Sequence, residues 1–168
     1  MNLQLIQTLL EYHVWANQRM LAVIDTLTPE QFTRDLKSSF PSIQATVAHL
    51  IFAETIWLNR LRGESEPLPT PADLPTPAAA RARWAASEER FRSFVGGLAA
   101  ADLDRLFTAR TSAGKEFVQT VGEALHQLFN HGTYHRGQLA TMLRQLDVTP
   151  PGTDLITFYR ERRAGATA

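Results

Sequence analysis

The sequence predicts an all-α fold, a four-helix bundle with one crossover connection. Three observations predict it. Four long segments carry apolar residues three and four positions apart, the period of a helix face. A proline-rich connector separates the second from the third. Neither side of that connector has enough helices to close a core alone, so the 168 residues read as one domain, 1–168. The content of 44% hydrophobic and 20% charged residues suits a packed globular chain and argues against disorder.

The first helix is expected from about Leu3 to Leu27. Leu3, Ile6, Leu10, His13, Asn17, Met20, Ile24 and Leu27 form its seam, and Thr28-Pro29 is expected to end it. The second is expected from about Ser42 to Arg62, with Pro41 before it and Gly63 as its stop. Its seam is Ile43, Val47, Leu50, Glu54, Trp57 and Leu61. Residues 63–77 then contain Pro67, Pro69, Pro71, Pro75 and Pro77, which mark an extended connector. Thr76 caps the third helix with Pro77 in its first turn, and the helix stops near Gly96-Gly97. Residues 106–119 read as a short hairpin-like excursion around Ser112-Ala113-Gly114-Lys115. Thr120 and Glu123 form a capping-box pattern that opens the fourth helix, expected to run to about Leu146. Pro150-Pro151-Gly152 breaks the chain, and Thr153 to Arg163 supplies a short terminal helix.

Composition excludes several function classes. Lys plus Arg equals Asp plus Glu at 17 each, so there is no basic excess to favour nucleic acid. With no cysteine, disulfides, thiolate ligands and a protein thiol nucleophile are all excluded. The N-terminal residues lack a signal-peptide layout, and no apolar run approaches the roughly 20 residues that span a bilayer. The expectation is a cytoplasmic protein with neither nucleic acid nor membrane as partner.

The chemistry concentrates in His131-Gly132-Thr133-Tyr134-His135. Residues four apart lie about 40° from each other on a helix, so both imidazoles leave one face a turn apart and can serve as two ligands of one metal. Val121, Ala124, Leu128, Leu139, Met142 and Leu146 share that face, which points it into the core. The competing reading is a pair of hydrogen-bonded core histidines, but each imidazole then needs partners for two ring nitrogens. The pattern is not that of a zinc protease, whose general-base Glu is replaced by Gly132. Nor is it a ferritin-like di-iron site, which needs several inward carboxylates.

A third ligand must come from elsewhere. His126 lies about 180° round the helix from His135 and faces away. His13 sits on the first-helix seam, and His49 lies at the edge of the second-helix stripe. Spacing excludes neither, and on spacing alone the seam position favours His13.

The stretch Asn130-His131-Gly132-Thr133-Tyr134-His135-Arg136-Gly137-Gln138, with downstream Pro151-Gly152-Thr153-Asp154-Leu155, resembles the DinB/YfiT-like family of metalloenzymes. Tyr12-His13-Val14-Trp15-Ala16-Asn17 and His49-Leu50, followed by Glu54 and Trp57, extend the resemblance over nearly the whole chain. It implies a three-histidine site of His49, His131 and His135, a crossover bundle and a homodimer. It also implies metal-dependent chemistry on a low-molecular-weight thiol. The family name refers to DNA-damage induction, a matter of expression and a reason to expect a stress-associated role.

His13, Asn17, Glu54 and Gln138 are the pocket candidates. His13 and Asn17 interrupt an apolar seam, Glu54 can orient an imidazole or sit at the bundle rim, and Gln138 follows His135 on nearly the same face. Gly132 and Gly137 are expected to permit close helix approach. Tyr134 and Arg136 are read as packing or subunit contacts, and Trp57, Trp84, Phe91 and Phe129 as core.

Three neutral imidazoles with an open position suit zinc, nickel, copper or iron and do not choose among them; the expectation is a divalent transition metal, zinc or nickel. With what the resemblance implies, the expected functions are a metal-dependent thiol transferase acting on a small-molecule substrate, a metal-dependent hydrolase, or a dimeric bundle that binds a metal or ligand without turnover.

Overall fold

The structure is a computed structural model that describes residues 2–111 and 113–166. Ser112, in the expected hairpin turn, lies outside the described residues, as do Met1, Thr167 and Ala168.

Local chemistry sets the helix limits. Helix α1 (Leu3–Ile24) starts where the Asn2 side chain accepts from the Gln4 N–H. It ends earlier than expected. Thr28 and Pro29 do not stop it but open a further short helix, α2 (Pro29–Thr33), through a reciprocal capping box of Thr28 with Gln31. That turn buries Phe32 completely. Ser42 caps α3 (Ile43–Arg62), and Gly63 ends it at φ 68°, a left-handed conformation that glycine adopts without a Cβ clash. Thr76 and Pro77 open α4 (Pro77–Gly96). The hairpin pairs β1 (Leu106–Arg110) antiparallel to β2 (Glu116–Thr120), in register Leu106 to Thr120. Its last residue, Thr120, caps α5 (Val121–Gln145) through the Thr120–Glu123 box. Helix α6 (Leu155–Ala166) closes the chain against α1.

The bundle is a ring in which α1 and α3 both pack on α4 and α5, which places α1 and α3 at opposite corners. Pairs along the helices give their directions. Gln18 meets Glu88 and Asp25 meets Arg81, so α1 and α4 are antiparallel. Glu54 meets Ser87 and Glu64 meets Arg90, so α3 and α4 are parallel. Thr46 meets Met142 and His49 meets His131, so α3 and α5 are antiparallel.

A parallel α3–α4 pair requires the connector to return the length of α3, the expected crossover. It does so in contact with that helix. Asn59 donates to the Glu66 carbonyl near one end, and Gln44 donates to the Pro71 and Leu74 carbonyls near the other. No described helix is long and apolar enough to cross a membrane.

Two apolar cores fill the ring. One gathers Met20, Ile24, Phe32, Val47, Ile51, Trp84, Leu139 and Met142. The other gathers Ile6, Leu10, Leu58, Phe91, Val95, Val121, Leu125 and Leu128. Between them lies a buried polar layer of His13, Asn17, Glu54, Ser87, Glu88 and Arg136. Phe91 and Phe129 are core as expected, Trp84 joins core to polar layer, and Trp57 packs half-buried at the second core's edge.

Candidate metal centre

His49 stands on the second turn of α3, and His131 and His135 stand one turn apart in the middle of α5. Antiparallel packing brings the three imidazoles together. The His131 Nε2 lies 3.1 Å from the His49 Nε2 and 3.0 Å from the His135 Nε2. Among the described residues this is the only group of three or more His, Asp or Glu side chains whose ligating atoms converge, all within 4.8 Å of one another.

The mutual contacts test whether a cation fits. A ring nitrogen offers one N–H or one lone pair, so His131 Nε2 cannot make two good hydrogen bonds to two other imidazole nitrogens. Three lone pairs aimed at one point suit a metal. With bonds of about 2.0–2.1 Å, a tetrahedral ion sets its nitrogens about 3.3–3.4 Å apart, a few tenths of an ångström beyond these separations.

Neighbouring groups prepare the imidazoles. The His135 Nδ1 donates to the Gln138 Oε1 at 2.7 Å, which leaves its Nε2 lone pair facing the cluster. Phe40, from the loop before α3, stacks on the His49 ring with centroids 4.1 Å apart and 23° between planes. Burial, with the neighbouring imidazoles adding to it, pushes His49 and His131 down to about 4. His135 is also lowered by burial, against the Gln138 hydrogen bond. All three are therefore neutral near pH 7, the form that binds a metal.

His13 is not part of this cluster. Its Nε2 lies 2.9 Å from Glu54 Oε1, and its Nδ1 lies 3.4 Å from the Arg136 guanidinium. A guanidinium only donates, so Nδ1 is the acceptor and the Nε2–H donates to the carboxylate. Both ring nitrogens are committed, and burial lowers the imidazole's affinity for a proton. Gly132 makes the room: a Cβ there would stand 2.6 Å from the His13 Cε1. The expected close approach holds at Gly132 and not at Gly137, where an added Cβ meets nothing within 4 Å.

Glu54 sits in the buried layer rather than at the rim, and it orients His13 rather than a cluster imidazole. Its carboxylate accepts from His13, from the Trp84 indole N–H at 3.0 Å and from the Ser87 hydroxyl at 2.6 Å. Asn17 accepts from Arg136 at 2.9 Å. Arg136 is the residue that sequence reasoning undervalued. It is 1% exposed, spans α5 to α1, donates also to Thr133 and lies over the Tyr12 ring. Tyr134 is 64% exposed, and His126 faces solvent as its angular position requires.

A small groove of about 420 Å³ adjoins the cluster. His49, Phe40 and Phe52 form one side, and Leu68, Pro69 and Pro71 of the connector form the other.

The comparisons with known proteins agree with this architecture. The DinB family model matches residues 1–164. The chain belongs to the DinB family. Among curated DinB relatives, Protein DinB of Bacillus subtilis (strain 168) is 29% identical over 154 residues, covering 87% of this chain and 88% of that protein. The crystal structure of a DinB-like protein from Bacillus cereus ATCC 10987 superposes with a TM-score of 0.59 at 23% identity. It covers 84% of this chain and 91% of the other, a likeness of fold. DinB membership and the three-histidine cluster are together compatible with metal binding.

Proposed function

We propose that His49, His131 and His135 bind one divalent transition metal, zinc or nickel first, and that the site is a metal-dependent transferase acting with a low-molecular-weight thiol. The convergence of three Nε2 atoms on one point carries the reading. A metal bound there supplies a Lewis acid that favours the thiolate form of a thiol at neutral pH.

The chain's own residues do the rest. Gln138 holds His135 in the tautomer whose Nε2 is free, and Phe40 fixes the plane of His49. The groove walled by Phe40, Phe52, Leu68 and Pro69 would seat the apolar part of an electrophile next to His49 and exclude water from it. The sulfur must come from the thiol cosubstrate, since the chain has no cysteine.

Hydrolysis is less well supported. Glu54, whose charge acts on His131, is already committed to His13, Trp84 and Ser87, and no described carboxylate joins the cluster to act as a base. Homodimer formation, which family resemblance implies, belongs to the same proposal and is checked by sedimentation.

Elemental analysis of the purified chain should give about one metal per chain, and His49→Ala and His131→Ala should each lose it, with affinity down on the order of 100-fold or more. Full metal content in both variants sinks the assignment. The metal-loaded protein is then assayed with several thiols and a generic electrophile. Conjugation that disappears in His135→Ala supports the transferase. Silence across all thiols, with metal still bound, favours a bundle that binds without turnover.

A further inference from the structure

A second cavity, of about 920 Å³, opens where the hairpin leans on α3 and α5. Trp57 and Phe117 supply its apolar wall, with ring centroids 6.2 Å apart in an edge-to-face arrangement. The Arg60 guanidinium lies over both rings, 4.8 Å from the Trp57 centroid and 5.6 Å from that of Phe117. Among the described residues it donates one hydrogen bond, to the Arg110 carbonyl at 2.8 Å.

The charges in this cavity are unequally committed. Glu116 pairs with Arg110, and Glu123 is engaged by the Thr120 N–H of the α5 capping box. Arg60 and Lys115 line the same space, and neither has a carboxylate partner among the described residues. A half-buried guanidinium that lies over two aromatic rings, with one hydrogen bond among the described residues, keeps N–H donors for oxygen acceptors from outside.

The cavity shares a face with the metal cluster. Arg60 follows His49 by eleven residues, about 20° off its direction and about 16 Å along α3. Gln127, also in the cavity wall, precedes His131 by one turn on the face of α5 that carries the cluster.

We propose that this cavity is a second ligand site that takes a small organic carboxylate with a flat apolar body. The carboxylate sits on the Arg60 guanidinium with Lys115 beside it, and the apolar body sits against Trp57 and Phe117. The proposal does not depend on the metal reading.

The full chain is titrated with 2-naphthoate, using calorimetry for affinity and tryptophan fluorescence for position, and with uncharged 2-naphthylmethanol as control. Naphthoate is expected to bind saturably, and the alcohol about tenfold or more weaker, the loss expected when one charge-assisted contact is removed. Arg60→Gln weakens naphthoate by a similar factor. Lys115→Ala, on the exposed hairpin turn, weakens it about threefold and guards against an Arg60 variant that merely misfolds. Trp57→Phe keeps the calorimetric affinity within about threefold but removes the fluorescence response.

Binding should be unchanged in His135→Ala and after chelation, so loss of the metal reading leaves this site standing. Equal affinity for acid and alcohol, no saturation in the millimolar range, or a full fluorescence response in Trp57→Phe each overturns the proposal.

Discussion

Two histidine environments lie on either side of one turn of α5, and they differ in where their ring nitrogens point. At His13 both nitrogens are committed, one to a carboxylate and one to a guanidinium, inside a layer that is closed to water and contains one residue of each charge beside the ring. At His49, His131 and His135 the Nε2 atoms face one another, and His49 and His131 are half-buried. The first arrangement is complete without a ligand, whereas the second turns ring nitrogens toward one another, where a shared cation would satisfy them together. Burial alone does not separate a structural histidine from a candidate ligand; the fate of the second nitrogen does.

The contrast is tested most severely at Arg136. Arg136→Met leaves Glu54 in the interior without the guanidinium, and removal of one buried charge from such a set costs about 3–5 kcal/mol. The expected result is a melting temperature lower by about 10 °C. An equal fall in His131→Ala, measured metal-free, would show that the cluster and the buried layer are one structural unit, and the distinction would fail.

Glu88 sharpens the comparison with pH. It is 7% exposed, its Oε1 has no hydrogen-bond partner among the described residues, and burial, with the Glu54 charge adding to it, raises its carboxyl from 4.5 to about 7. The folded chain therefore holds this proton more tightly than the unfolded one. Glu88's contribution is most favourable below pH 4.5 and is lost as pH rises through 7. Glu88→Gln should thus exceed the parent in stability at pH 8 by up to about 3 kcal/mol, a gap that closes toward pH 5 in thermal melts. A gap independent of pH would mean that Glu88 does not titrate in this range.

The smallest effect is expected at Gln138. Gln138→Ala removes the acceptor that orients His135, and loss of such a partner lowers metal affinity about 10–100-fold. Competition against a chelator measures it, with the melting temperature of the metal-free chain nearly unchanged.

Much of this was legible in the residues. Helical periodicity, Ser42, Thr76 and the Thr120–Glu123 box predict the four long helices, and four-residue spacing predicts that His131 and His135 act together. Spacing alone favours His13 over His49, because a seam position reports burial and not the direction of a lone pair. His49 sits at the edge of its stripe, half-buried beside a groove, and only the family resemblance singles it out. Arg136 is invisible to pattern. A guanidinium on a helix reads as solvated, and its burial depends on Tyr12 and Asn17, more than a hundred residues away in the chain. Thr28-Pro29 misleads for a local reason: the pair that closes one helix serves equally to cap the next.

The connector over 63–77 carries a kinetic consequence. Its five prolines restrict the chain before folding, and Gln44 and Asn59 hold it against α3 at both ends. One wall of the groove beside His49 is therefore in place before any small molecule arrives. A molecule entering there has little loop to organise, so association should be fast, and differences between related molecules should appear in how long they stay.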